Sequence, residues 1–422
     1  MAGVQLTDAA PLPMPGSDLM AWLLVVDASF AMGPPVRYLI PAVTDGSEPL
    51  REPRDGDGAW QALAAAIADG RVLSASAGSF RCEAAPAVRE LLPRGASSIA
   101  DLREHRLGVE QSNTSVQLGE LLLVKLYRRI EAGENPELEV GAFLESVGCR
   151  VVPRIAGSLQ YLAPGGSAAA AMLQERVAAR SDAWRQFGEM LASGEGGVDA
   201  AVAAAREIGR VTAELHQGLA ARPKDLAFPV RQATPAEVKA WRDAALSQLD
   251  QARYALAGEN RVTLDRLAGG IRSLIERAFG EARQARVMRV HGDYHLGQLL
   301  VAEDGYRVID FEGEPARPLA ERRAPQPPER DVAGMLRSLD YAARTAQRGH
   351  EPDFNAERWL AAARSAFVGA YAEGAPIAPN TPLLAGLEIE KACYEVRYEA
   401  ANRPDWVWLP LEALTRLALQ KQ

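Results

Sequence analysis

The chain has 422 residues and a formal net charge of −8, from 47 Lys+Arg against 55 Asp+Glu, with only five His and three Cys. The acidic balance excludes a general nucleic-acid binder, which needs a basic face, but not a protein that takes phosphates through a divalent cation. At about 150 residues per domain the length predicts two or three domains, and abundant Ala beside 6% aromatic residues favours helices over an all-β architecture. Cys82, Cys149 and Cys393 are widely spaced with no disulfide or metal-ligand pattern, so a reducing cytoplasm is expected. The best apolar run near the start, Met20–Val26, is far too short to span a bilayer and is followed at once by Asp27.

In chain order, residues 1–19 read as loop, with Pro11, Pro13, Pro15 and Gly16. The β-rich runs 20–30 and 36–43 flank a Gly-Pro-Pro turn and predict a hairpin. An Ala-rich helix over 59–69 and a strand pair over 72–76 and 79–83 complete a small α/β module of roughly 90 residues. From Leu107 the order is strand, strand (121–127), helix (135–146) and two further strands (151–162, 171–177) around Pro164-Gly165-Gly166. After Ala179 the pattern turns helical, over 198–219, 235–257, 264–285, 331–346, 356–373, 383–402 and 411–420. A short β insertion (287–290, 298–301, 306–311) interrupts these helices and is a candidate platform for a site. The resulting organisation is a cap over 1–90, a mixed lobe over 91–177 and a mostly helical lobe over 178–422.

The insertion carries the strongest signal. Val290-His291-Gly292-Asp293-Tyr294-His295-Leu296-Gly297-Gln298 is followed by Ile309-Asp310-Phe311-Glu312-Gly313. Phosphoryl transfer to an alcohol needs a carboxylate to orient the hydroxyl and accept its proton, and metal ligands to hold Mg²⁺ against the phosphates. Asp293 and Gln298 have the spacing of the catalytic Asp and metal-binding Asn of a kinase catalytic loop, and Asp310 ends an apolar strand 12 residues beyond Gln298. Gln in place of Asn keeps the same hard amide oxygen. The inserted Glu312 either approaches the metal or caps the turn. His291 reads as a structural brace, and His295 as a brace or a substrate contact. A zinc site at His291, Asp293 and His295 is the weaker reading, for lack of soft ligands.

Upstream, Lys125 is the lone charge in an apolar strand, and a buried Lys needs an ion pair. Glu137 and Glu139 on the next helix are the candidates, with Glu139 favoured; a solvent-facing Lys is the alternative. Glu110–Ser115 is not glycine-rich, but the hydroxyls, amide and backbone N–H groups of Ser112, Asn113, Thr114 and Ser115 suit phosphates. Residues 174–177, including Glu175 and Val177, fall where an interlobe hinge would offer backbone hydrogen bonds to adenine. Arg330-Asp331 opens a helix, where Asp331 either caps it or braces the catalytic loop.

These stretches (EQSNTS at 110–115, the Lys125 strand, RVHGDYHLGQ at 289–298, IDFEGEP at 309–315, RDVAGMLRSL at 330–339, YEVRYEAANRPDW at 394–406) resemble the bacterial maltokinases, relatives of the aminoglycoside phosphotransferases. The resemblance runs from Leu107 to the C-terminal region; the first 90 residues match poorly. It implies an α+β, bilobal protein-kinase-like fold with an N-terminal α/β cap, and ATP- and Mg²⁺-dependent phosphorylation of maltose to maltose 1-phosphate for α-glucan (glycogen) synthesis, with trehalose synthase as a pathway partner and neither nucleic acid nor membrane as one. Carried over, Asp293 is the catalytic base, Gln298 and Asp310 are the metal ligands, and Lys125 is the α/β-phosphate contact. In helix 383–402, Tyr394 and Tyr398 are four apart, as are Glu395 and Glu399, and Arg403 and Trp406 follow. Rings for sugar C–H faces and carboxylates for paired hydroxyls suit a sugar pocket, while a core role for the tyrosines and ion pairs for the glutamates is the rival. A kinase for another sugar such as glucosamine, or a non-catalytic nucleotide- or sugar-binding regulator, is the alternative function.

Overall fold

The computed structural model describes residues 3–92, 95–108, 113–314, 317–349 and 354–419. The chain forms two compact units: Met1–Ser146 with Val152–Ala178, and Val147–Val151 with Ala179–Gln422.

The first unit holds two antiparallel sheets. Strands Gly3–Leu12, Met20–Ser29 and Val36–Thr44 form the smaller one in sequence order. The predicted hairpin is present, but the segment read as loop contains the Gly3–Leu12 strand. That strand is at the sheet edge, where Pro11 removes no hydrogen bond that a neighbour needs. The larger sheet has seven strands, in the order Val72–Ser74, Ser79–Ala84, Ile155–Ala163, Gly166–Glu175, Leu122–Tyr127, Asn113–Leu118 and Glu104–Arg106. The strand pair assigned from sequence to a cap over 1–90 is thus the edge of the sheet built by residues 104–175. One apolar core, including Leu23, Trp60, Leu63, Phe80, Val124, Leu126 and Leu159, serves both sheets and the Ala59–Ala68 helix.

That helix has Gly58 at its start and no side-chain cap of its own. Its orphan N–H groups are satisfied from far away: Glu104, 2% exposed, accepts from Trp60 N at 2.9 Å and Gln61 N at 3.1 Å, and also from Gly56 and Gly58.

The second unit is helical around a small three-stranded sheet of Ala179–Asp182, Leu299–Ala302 and Gly305–Val308. Its long helices are Glu195–Leu219, Pro235–Ala255, Gly258–Glu281, Glu329–Gly349, Ala356–Gly374, Thr381–Asn402 and Trp408–Leu419. Each predicted helix is there within a few residues, and Ala183–Ala192 is an additional one. Pro235–Ala255 starts at a capping box between Thr234 and Glu237, and Thr381–Asn402 at Asn380, whose side chain accepts from Leu383 N. The latter buries Glu388, Glu390, Glu395 and Glu399. Buried charges require partners, supplied by Arg364, Arg330, Arg337 and Arg403. Among the described residues no helix is long and apolar enough to cross a membrane.

Candidate active site

In the second unit, the segment 291–298 is held by groups far away in sequence. Asp331, its side chain fully buried near the start of Glu329–Gly349, accepts from His291 N at 2.8 Å and Gly292 N at 2.9 Å. His216 Nε2 lies 3.0 Å from the same carboxylate and its Nδ1 2.9 Å from the Tyr371 hydroxyl. Burial pushes the Asp331 carboxyl up, but the His216 hydrogen bond and charge and the Gly292 N–H outweigh it, leaving it below the ordinary value. Of the two readings for Asp331, helix cap or loop brace, the brace is observed.

Histidines tie the loop internally. His291 Nε2 donates to the Ile309 carbonyl at 2.9 Å while Nδ1 receives the Asp293 N–H at 3.4 Å, fixing a neutral tautomer. Its ring packs on Phe311. His295 Nδ1 accepts from Gly297 N at 3.1 Å, so of its two readings the brace is the one with a contact. Tyr294 is buried with its hydroxyl 3.0 Å from Thr212 Oγ1. Beneath it, Gly334 admits the loop: a Cβ there would lie 2.5 Å from the Tyr294 carbonyl oxygen.

The two expected metal ligands adjoin. Gln298 Nε2 is 3.2 Å from Asp310 Oδ2, and Ile309 N donates to the Gln298 carbonyl. Asp310 has φ 68°, a left-handed conformation of the kind that clusters at functional sites. A carboxylate beside an amide whose oxygen is reached by an amide flip is a donor set that fits Mg²⁺.

Asp293 opens onto a cleft lined by Tyr294, Glu314, Arg317, Glu390, Lys391 and Tyr394, among others. Lys391 Nζ is 3.3 Å from Asp293 Oδ1 and 4.9 Å from the centre of the Tyr394 ring. Burial works against charge on Asp293, but the Lys391 ammonium beside it outweighs that and holds its pKa below the ordinary value. Glu314 pairs with Arg317 at 2.6 Å, and Glu390 with Arg330 at 3.4 Å.

Of the residues expected to meet sugar, Tyr394 lines this cleft. Tyr398, Glu399, Arg403 and Trp406 form a neighbouring cluster instead. Glu399 is buried and takes Arg403 through both carboxylate oxygens, and the Arg403 guanidinium stacks on Tyr398 and Trp406. For Glu399 that is the ion-pair reading rather than the sugar-facing one. Sequence reasoning missed Lys391 as a partner of Asp293, and missed Glu314, Glu390 and His216 altogether.

In the first unit, Lys125 is buried, and its Nζ is 2.9 Å from Glu137, the candidate not favoured from sequence. Asn135 fixes the helix phase by accepting from Glu137 N and Leu138 N, which turns Glu137 towards the strand; Glu139, two residues on, is rotated by about 200°. Tyr127 donates to the same carboxylate at 3.0 Å. Ser115 and Met172 flank Lys125 on the neighbouring strands, and Asn113, Thr114 and Ser115 are buried. Ser112 lies outside the described residues. The strand expected over 171–177 ends at Glu175, whose N–H already donates to the Arg154 carbonyl at 2.9 Å. Val177 follows the strand without a described backbone hydrogen bond.

A family model described as the phosphotransferase enzyme family matches residues 101–363. A glucosamine kinase of Streptacidiphilus jiangxiensis is 31% identical over 395 residues, covering 90% of this chain and 86% of that protein. A glucosamine kinase of Mycolicibacterium smegmatis is 30% identical over 334 residues, covering 74% and 79%. A solved glucosamine kinase in complex with glucosamine, ADP and inorganic phosphate is similar at TM-score 0.76 and 28% identity, covering 99% of this chain and 94% of that one.

Proposed function

Since the chain belongs to the phosphotransferase enzyme family, with its kinase-like fold, and is a sugar kinase, we propose that it transfers the γ-phosphoryl group of ATP to a hydroxyl of glucosamine. This replaces maltose as the leading acceptor with the amino-sugar alternative, and the relatives' names lend no support to a trehalose synthase partner. The observation that carries the reading is the similarity to a glucosamine kinase over 90% of the chain. The cleft beside Asp293 agrees with it. An amino sugar carries an ammonium group that needs carboxylates, and Glu314 and Glu390 stand on the wall beside the Tyr394 ring, each sharing its charge with an arginine, Arg317 and Arg330.

In this reading Asp293 accepts a hydrogen bond from the attacking hydroxyl and then its proton. A carboxylate of low pKa is a weak base. It suffices because phosphoryl transfer passes through a loose transition state in which the proton leaves late, so orientation matters more than basicity. Gln298 and Asp310 would hold Mg²⁺, which when bound neutralises charge on the phosphates. Lys125, paired with Glu137, would meet the α- and β-phosphates, and Asn113, Thr114, Ser115, Glu175 and Val177 belong to the nucleotide side of the proposal. Tyr398, Arg403 and Trp406 would act on the sugar through Tyr394, against which Tyr398 stacks.

An ADP-release screen with glucosamine, maltose and glucose tests this, followed by NMR of the phosphorylated carbon. The expected result is a kcat/KM for glucosamine at least about tenfold above that for maltose, the discrimination that a site built for a polar group readily reaches. Preference for maltose with phosphate on the anomeric carbon would overturn it.

A further inference from the structure

We propose that Lys391 is a positioning residue for phosphoryl transfer: by donating to one carboxylate oxygen of Asp293 it leaves the other to take the proton of the sugar hydroxyl. The inference rests on Asp293 as the base. Among the described residues, Lys391 is the one side chain that donates to the Asp293 carboxylate, at 3.3 Å and from 98 residues away in sequence. The loop's other contacts fix backbone: Asp331 takes the N–H groups of residues 291 and 292, and His291 takes the N–H of residue 293. Nothing in that scaffold sets the rotation of the Asp293 side chain. A carboxylate with two equivalent oxygens and a free χ2 samples orientations in which neither faces the acceptor, and misorientation is costly in rate.

The lysine is itself held. It lies on the Thr381–Asn402 helix among Leu387, Glu390 and Tyr394, which line the same cleft, and its ammonium sits over the Tyr394 ring. One turn on, Glu395 is fixed by Arg337 at 2.8 Å, and Arg337 by Asp340. The negative charges of Asp293, Glu395 and Glu314 keep the lysine protonated against the cost of burial. The result is an alternation of charge from Asp293 through Lys391, Glu395 and Arg337 to Asp340, with the ammonium on the Asp293 side.

In the step itself, the sugar oxygen forms its bond to the γ-phosphorus while the β–γ P–O bond breaks and ADP departs. The hydroxyl proton passes to the Asp293 oxygen that Lys391 does not occupy. Lys391 exchanges no proton.

The test uses the full chain and the variants Lys391→Met, Lys391→Arg, Asp293→Asn and the double variant Asp293→Asn/Lys391→Met. Lys391→Met is expected to lower kcat about 100-fold, at the lower end of what a positioned proton acceptor contributes, with KM for sugar and for ATP within threefold of wild type. Lys391→Arg should recover at least a tenth of wild-type kcat. The double variant should lose no more than Asp293→Asn alone, because both act through one carboxylate. A merely structural lysine would lower the thermal midpoint and give multiplicative losses in the double variant, which would overturn the proposal. So would a Lys391→Met variant with kcat within threefold of wild type, or one whose sugar KM rises at constant kcat. The comparison is run with whichever sugar the wild-type enzyme phosphorylates, so an error about glucosamine and an error about Lys391 register separately.

Discussion

Replacing Asp331 with Ala should cost both stability and turnover, and the size of the loss can be worked from its contacts. The carboxylate accepts two backbone N–H groups and faces His216, all buried. Each of the three donors left without a partner, two backbone N–H groups and the His216 ring, costs about 1–3 kcal/mol. The three share one carboxylate and do not add fully, so a loss of about 4 kcal/mol is expected, a large part of the roughly 5–15 kcal/mol that holds a domain together. Because the freed N–H groups are those of His291 and Gly292, kcat should fall at least tenfold even where the variant stays folded. Asp331→Asn keeps one acceptor oxygen and should lose about half as much stability. Urea unfolding followed by tryptophan fluorescence at pH 7, with kcat measured below the transition, reads both quantities. The pH dependence has a definite sign. The Asp331 pKa is lowered on folding, so its contribution is fully present above the unfolded value of 3.8 and is lost as pH falls through the lower folded value. The gap between wild type and Asp331→Asn should persist at pH 5–7 and close in stronger acid. An Asp331→Ala variant with wild-type midpoint and kcat would refute the reasoning.

Two further outcomes follow from the geometry. Glu137→Ala removes the carboxylate paired with the buried Lys125 and should destabilise the first unit by about 3–5 kcal/mol, more than Glu139→Ala does; parallel denaturant melts distinguish them, and a larger loss from Glu139→Ala would make Glu139 the main partner. Gly334→Ala would ordinarily stabilise a helix by about 1 kcal/mol. Here its Cβ would collide with the Tyr294 carbonyl, so kcat should drop and the melting midpoint should fall, and a more stable, fully active variant would show that the loop does not need that close approach.

What the sequence disclosed divides along a physical line. Local patterns read well. The helical period placed each long helix of the second unit, and the spacing of Asp293, Gln298 and Asp310 located two side chains that the fold brings to 3.2 Å. The fold class needed the family resemblance as well. Angular phase and long-range pairing did not read well. Glu137 and Glu139 differ only in phase, which Asn135 sets by capping. Lys391 sits among glutamates at helical spacing, so local ion pairs were the natural expectation, and its contact with a residue 98 positions earlier leaves no mark on periodicity. His216 is one His in a long amphipathic helix; its only signal was being a buried-face polar residue that needs a partner. The Gly3–Leu12 strand was hidden by its prolines, which an edge position tolerates.

The remote carboxylate over the Ala59–Ala68 helix has a consequence for how the first unit assembles. Glu104 lies 44 residues beyond Trp60, so the N–H groups at the helix start find their protein acceptor only once the strand that carries Glu104 has docked. The neighbouring Ser79–Ala84 strand likewise waits for Ile155–Ala163. A fragment ending near residue 90 would be released with bare amides and an open edge, prone to pair with other chains. These dependencies couple the N-terminal 90 residues to the 104–175 sheet in one cooperative transition, so during synthesis the early segment is held unfinished until the later strands emerge.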